Sequence, residues 1–275
     1  MKKYAWRIYL CLIFAVLYIP IVTLILFSFN DTASTADFRG FSFRWYQALF
    51  DEETRSVTFT ALRNTLILAV LSSVISTVIG TAAAEGIYKM KSRLLRKSVT
   101  SVTNIPMMNP EIVTGMSMML FFVAVASILR TEYETIGFAA MLIAHVTFCL
   151  PYVILSVLPR INELGDSLSE AALDLGCTPL QAFFKVKLPN IMPGVISGMV
   201  MAFTLSLDDF VISYFVGSSN FQTLPLLIYS MTKRKVEPDM YALSTLIVVA
   251  VFILLLISNM KRDKSRLRKA GGKKR

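Results

Sequence analysis

Six apolar stretches separated by polar segments dominate the chain, at about 8–29, 62–86, 99–129, 136–158, 191–217 and 240–260. Each is long enough to cross roughly 30 Å of hydrocarbon as a helix. None has the alternating pattern of a membrane β-strand. The pattern therefore predicts an all-α integral membrane protein with six transmembrane helices in a single domain, 1–275. The first stretch is too long for the apolar core of a signal peptide. Phe27-Ser28-Phe29-Asn30 is also no small-residue cleavage site, so an uncleaved span bent at Pro20 is expected. The third stretch opens with Pro106 and Pro110, followed by Glu111. Two missing backbone donors predict a broken or re-entrant start there; if the segment is helical, Glu111 falls near mid-membrane.

Between the fourth and fifth stretches lies a polar island within the segment 159–190. Residues 167–189 read as two short helices joined by a sharp turn. Ser167 with Glu170 has the spacing of a capping box, and Gly176 stands where a left-handed residue would end the first helix. Thr178 with Gln181 repeats the box, with Pro179 at the first helical position. Ala171 and Ala172 keep the first helix slim enough to enter a groove on another protein. The plain alternative is an ordinary connector, although connectors are usually shorter and less thoroughly capped.

Composition supports the membrane reading: of 275 residues 55% are hydrophobic, and the mean hydropathy is +0.61. The net charge of +10 would suggest nucleic acid in a soluble protein. Nine of the basic residues, however, follow residue 260, so the excess is mostly a tail and no nucleic acid is expected. Lys2, Lys3 and Arg7, the basic loop 88–98 and that tail all fall on one side of a six-span chain. The positive-inside rule then places both termini and the polar island in the cytoplasm. Lys233-Arg234-Lys235 opposes this placement, but with three basic residues against seventeen. Cys11, Cys149 and Cys177 are odd in number and scattered, so no disulfide framework is implied.

Ionisable groups inside apolar spans are costly and are functional candidates by default. Asp208 and Asp209 in the fifth stretch and Glu111 in the third qualify, with no basic partner evident in the same span. They either line a substrate path or cap and hydrogen-bond within the bundle. Neighbours on a helix point about 100° apart, so only one of the two aspartates is expected to face a path. Phe210, Tyr214 and Phe215 are either aromatic faces for a cation or core packing. His145 is expected to be a hydrogen-bonded core residue, since one histidine cannot make a metal site. Glu85 and Lys89 are four apart and read as an ion pair at the membrane edge. There is no G-x-x-x-x-G-K-[ST], H-E-x-x-H or G-x-S-x-G, so no catalytic residue, metal or cofactor is expected in this chain.

Glu170-Ala171-Ala172, Gly176 and Val186-Lys187-Leu188-Pro189 resemble the EAA loop of ABC importer permeases. That pattern is E-A-A, three residues, G, nine residues, I, one residue, L-P, and only Val186 departs from it. The resemblance implies a type I ABC importer permease (MetI-like) fold. It also implies a coupling element containing Glu170, Ala171, Ala172, Asp174, Gly176, Leu188 and Pro189.

More narrowly, the chain is similar to the C-type subunit of spermidine/putrescine permeases. The similarity rests on Tyr18-Ile19-Pro20, Ser28-Phe29-Asn30, Trp45-Tyr46, Asn109-Pro110-Glu111-Ile112-Val113, His145-Val146-Thr147-Phe148-Cys149 and the run Phe203–Asp209. Glu111 stands where that family commonly has Asp. The implied partners are a second six-span permease, two ABC ATPase subunits that bind ATP and magnesium, an extracytoplasmic binding protein and the inner-membrane bilayer. The expected substrate is a polyamine, with ferric iron or another cation as the alternative. A secondary transporter fits less well, because the two halves of the chain do not resemble each other.

Overall fold

The computed structural model describes residues 2–32, 37–49, 52–218, 221–233, 240–246 and 248–249. The chain divides into two compact units, Met1–Val57 with Ile228–Arg275, and Thr58–Leu227. Five of the described helices are long and apolar enough to cross a membrane.

In the first unit, α1 (Lys2–Phe27) contains Pro20 and presents apolar side chains outward on all sides, including Trp6, Ile8, Leu12, Val16 and Leu17. Such an all-round apolar surface suits a helix bathed in lipid or covered by another subunit. Directly after α1 the chain folds back on α2 (Arg44–Ala48). Trp45 Nε1 donates to the Asn30 carbonyl at 2.6 Å, and Ser28 Oγ and the Tyr46 hydroxyl lie 2.8 Å apart. Asn30 Nδ2 donates to the Asp37 carbonyl, and its Oδ1 accepts from the Arg39 amide. The two separated motifs Ser28-Phe29-Asn30 and Trp45-Tyr46 are thus one local structure, closed by the rings of Phe29, Phe43 and Tyr46.

The second unit is a helical bundle. It contains α3 (Glu52–Lys89) from Thr58 onward, α4 (Arg93–Met108), α5 (Glu111–Leu129) and α6 (Tyr133–Leu164). It continues with α7 (Ser167–Asp174), α8 (Pro179–Ala182), a π-turn (Phe183–Lys187), α9 (Leu188–Asp208) and α10 (Val211–Val216). Four buried or half-buried hydroxyls of α3 are satisfied by its own carbonyls. Ser73 donates to Val70, Ser76 and Thr77 both donate to Ser73, and Thr65 donates to Ala61.

α6 and α9 pack most closely, and glycine makes the approach feasible. A Cβ on Gly194 would lie 2.9 Å from the Ser156 carbonyl oxygen and 2.6 Å from Arg160 Cγ. The arginine can move aside, but the backbone cannot. Gly194→Ala is therefore expected to force α6 and α9 apart and lower the yield of monodisperse protein in detergent several-fold. An unchanged yield and melting profile would contradict this packing.

The break expected at the start of the third stretch is present: α4 is capped by Ser92 and ends at Met108, and α5 begins after an extended Asn109-Pro110. Glu111 is the exposed first residue of α5. The stretch 191–217 is also broken. α9 stops at Asp208, Asp209 is extended (φ −63°, ψ 124°), and α10 restarts at Val211.

The segment after α10 contains α11 (Leu224–Lys233). Its start is fastened to α3, because the Leu224 amide donates to Thr65 Oγ1 at 2.7 Å and Asn64 Nδ2 donates to the Gln222 carbonyl. Of the expected sixth span, 240–246 and 248–249 are helical; its remainder and the basic tail lie outside the described residues.

Candidate functional site

Two places gather the candidate residues, and the first is the polar island. α7 packs against α8 and the π-turn, with Ala172 buried and Glu170, Ala171 and Asp174 exposed. Its end is a Schellman turn: the Cys177 amide donates to the Ala172 carbonyl, the Gly176 amide donates to Leu173, and Gly176 has φ +85°. The Thr178–Gln181 capping box is present in both directions, at 3.1 and 3.3 Å. The expected Ser167–Glu170 box is not. Asp166 takes the cap position without a side-chain bond, and its backbone carbonyl receives the Glu170 amide.

Leu188 and Pro189 open α9, where proline needs no donor. Sequence reading passed over the island's apolar surface: Leu175, Leu180 and Phe184 are 86%, 72% and 59% exposed. These bulky apolar tips stand on an otherwise polar, tightly capped hairpin.

The second place is the break between α9 and α10. Asp209 is buried, and its carboxylate receives the amides of Ile212 at 3.3 Å and Ser213 at 2.9 Å, capping α10. His145 Nε2 lies 3.5 Å from Asp209 Oδ2 and 3.2 Å from Ser213 Oγ. Its Nδ1 lies 2.8 Å from Ser206 Oγ, which in turn accepts from Ser72 Oγ at 2.8 Å. A proton on Nε2 satisfies the whole chain: Ser72 donates to Ser206, Ser206 to His145, and His145 toward Asp209. One buried network thus ties α3, α6, α9 and α10 at the break.

Asp208, one residue earlier, ends α9 and is exposed. The break therefore resolves the two neighbours into different surroundings, one inside the network and one outside it. Phe210 and Tyr214 lie with ring centroids 5.6 Å apart, and Tyr214 is 44% exposed. α5 packs along α10, with Gly115 so close to Phe215 that a Cβ would sit 3.0 Å from its ring. The two broken segments therefore meet, each carrying an exposed carboxylate at its break, Glu111 and Asp208. Beside the α4–α5 break is a cleft of about 280 Å³ with Asn109, Thr114, Ser117 and Thr147 among its polar lining.

Residues 76–268 match the family described as "Binding-protein-dependent transport system inner membrane component". The chain belongs to this family. It is an all-helical, multi-pass inner-membrane permease component.

Among its relatives is the putrescine transport system permease protein PotI of Escherichia coli (strain K12). That protein is 37% identical over 267 residues, which cover 96% of this chain and 94% of the relative. The spermidine/putrescine transport system permease protein PotC of Haemophilus influenzae is 34% identical over 252 residues, covering 92% and 94%. The fold is that of a permease in a bacterial ABC transporter involved in the import of the acidic polysaccharide alginate. The TM-score is 0.72 at 19% identity, over 94% of this chain and 96% of that one. At that identity the likeness establishes the architecture and leaves the substrate to other arguments.

Proposed function

We propose that this chain is one permease subunit of an ATP-driven importer for polyamines such as putrescine and spermidine. The observation that carries the reading is the pair of exposed carboxylates, Glu111 and Asp208, at the breaks of two segments that meet. Neither makes an ion pair among the described residues. A linear polycation entering a membrane must exchange water for fixed negative charge, and carboxylates at helix breaks supply it. The near full-length similarity to PotI and PotC supports the same substrate class. Iron or another small metal ion fits less well. Among the described residues no three His, Cys, Asp or Glu side chains converge on a common point.

In this reading both termini and the α7–α8 hairpin lie in the cytoplasm. The hairpin inserts Leu175, Leu180 and Phe184 into an ABC ATPase subunit, which binds ATP and magnesium. A second permease, a second ATPase and an extracytoplasmic binding protein complete the assembly. ATP-driven closure of the ATPase pair moves the hairpins together and opens the path outward to the loaded binding protein.

Orientation is tested by thiol labelling after Cys11, Cys149 and Cys177 are replaced. Gln47→Cys on α2 is expected to react with an impermeant reagent in intact cells, and Lys91→Cys only after permeabilisation. The reverse pattern would remove the hairpin from the ATPase side. Substrate class is tested in cells lacking other polyamine uptake: the complete system should accumulate labelled putrescine, and omission of this chain should abolish it. Equal accumulation without the chain would defeat the assignment.

A further inference from the structure

The π-turn that joins the hairpin to α9 bears on how the hairpin's motion spreads. Lys187 is its last residue and is buried, 3% exposed. Its ammonium lies 2.9 Å from Glu85 Oε2, 3.0 Å from Glu85 Oε1 and 4.5 Å from the centroid of the Tyr88 ring. Glu85 is 102 positions away in sequence, near the end of α3. Lys89 also reaches Glu85, at 3.1 Å, but from an exposed position. Arg96 lies over the Tyr88 ring as well, at 5.5 Å, and donates to Asn162 on α6 at 2.6 Å. A π-turn holds an extra residue per turn and redirects the side chains that follow. Here it turns a lysine inward, against the habit of lysine to seek water.

α3 carries this contact along its own length. Thirteen residues before Glu85, at about 20 Å along a helix, Ser72 donates to Ser206 in the network that holds Asp209. The hairpin is covalently continuous with α6 at one end and with α9 at the other, and the buried Lys187–Glu85 pair ties α3 to the same end of the π-turn as α9. With the ion pair in place, α3 is held to the same point and moves with it.

Building on the hairpin as the docking element, we propose that Lys187 and Glu85 are positioning residues that make α3 a further strut between the docking hairpin and the carboxylate break, so that the binding-protein signal and ATP-driven closure are coupled through α3 as well as through the helices that flank the hairpin.

The test uses the assembled complex with its ATPase subunits in nanodiscs, stimulated by its binding protein loaded with putrescine. Because a lone Glu85→Gln or Lys187→Met leaves a buried charge without its partner, the decisive variant carries both. Glu85→Gln with Lys187→Met is expected to assemble, retain unstimulated ATPase activity and lose at least about tenfold of the stimulation. The charge exchange, Glu85→Lys with Lys187→Glu, is expected to recover half or more of it; simple packing would give no such rescue.

Parental stimulation in the neutral double variant would overturn the strut. So would an exchange variant that assembles but is stimulated no better than the neutral one. Gly176→Val run in parallel separates the two layers of the reading. If it loses stimulation while the neutral double variant keeps it, the strut alone is wrong. If it keeps full stimulation, the docking reading fails and the strut fails with it.

Discussion

Asp209→Ala is expected to prevent assembly of the transporter, whereas Asp208→Asn should assemble normally and import putrescine at least tenfold more slowly. Adjacent, chemically identical residues diverge because the helix break lies between them. Asp209 caps α10 with two amides and faces His145. Alanine leaves those buried donors unpaired, at about 1–3 kcal/mol for each group, which is a large share of a typical domain stability of about 5–15 kcal/mol. Asp209→Asn keeps an acceptor oxygen and should be the milder lesion. Asp208 is exposed and ends α9, so its amide variant changes charge with little change in packing. A tenfold loss corresponds to about 1.4 kcal/mol, modest for one carboxylate facing a polycation. The measurement is initial uptake normalised to the amount of permease that co-purifies with the ATPase. Equal uptake and assembly for both variants would remove the break from the mechanism.

Gly176→Val is the second large effect. At φ +85° a β-branched residue is badly placed, whereas asparagine tolerates the left-handed region. A Cβ at this position would meet nothing within 4 Å, so the obstacle is backbone strain alone. Valine is expected to unwind the Schellman turn and swing α7 away from α8, leaving the subunit inserted but the ATPase unresponsive to loaded binding protein. Gly176→Asn should keep at least half of the stimulation. If valine behaves like asparagine, the turn does not orient the docking face.

Much of this was legible in the chain. Spacing of Thr178, Pro179 and Gln181 specifies a helix start by local chemistry alone, and Gly176 ends α7 because the turn needs a positive φ. These are short-range effects, which sequence records directly. The α9–α10 break was not legible, because apolar residues flank Asp208-Asp209 on both sides and no proline or glycine marks it. It exists because Asp209 can cap α10 while His145, more than sixty residues earlier, closes the site from α6. Ser167 failed as a cap for a related reason: Asp166, one residue earlier, occupies that position. Nothing local marks Lys187, between Val186 and Leu188, as buried. Its partner Glu85 is a hundred residues away, and the nearer Lys89 offered a sufficient explanation for that acid.

Paired helix breaks that serve an importer of polycations have a direct consequence for the complete complex reconstituted in proteoliposomes with ATP inside and binding protein outside. Labelled putrescine or spermidine is expected to accumulate only with ATP and binding protein present, and Asp208→Asn to slow it at least tenfold at equal assembly. ATP-dependent accumulation of ferric iron or a neutral solute in place of either polyamine would contradict it.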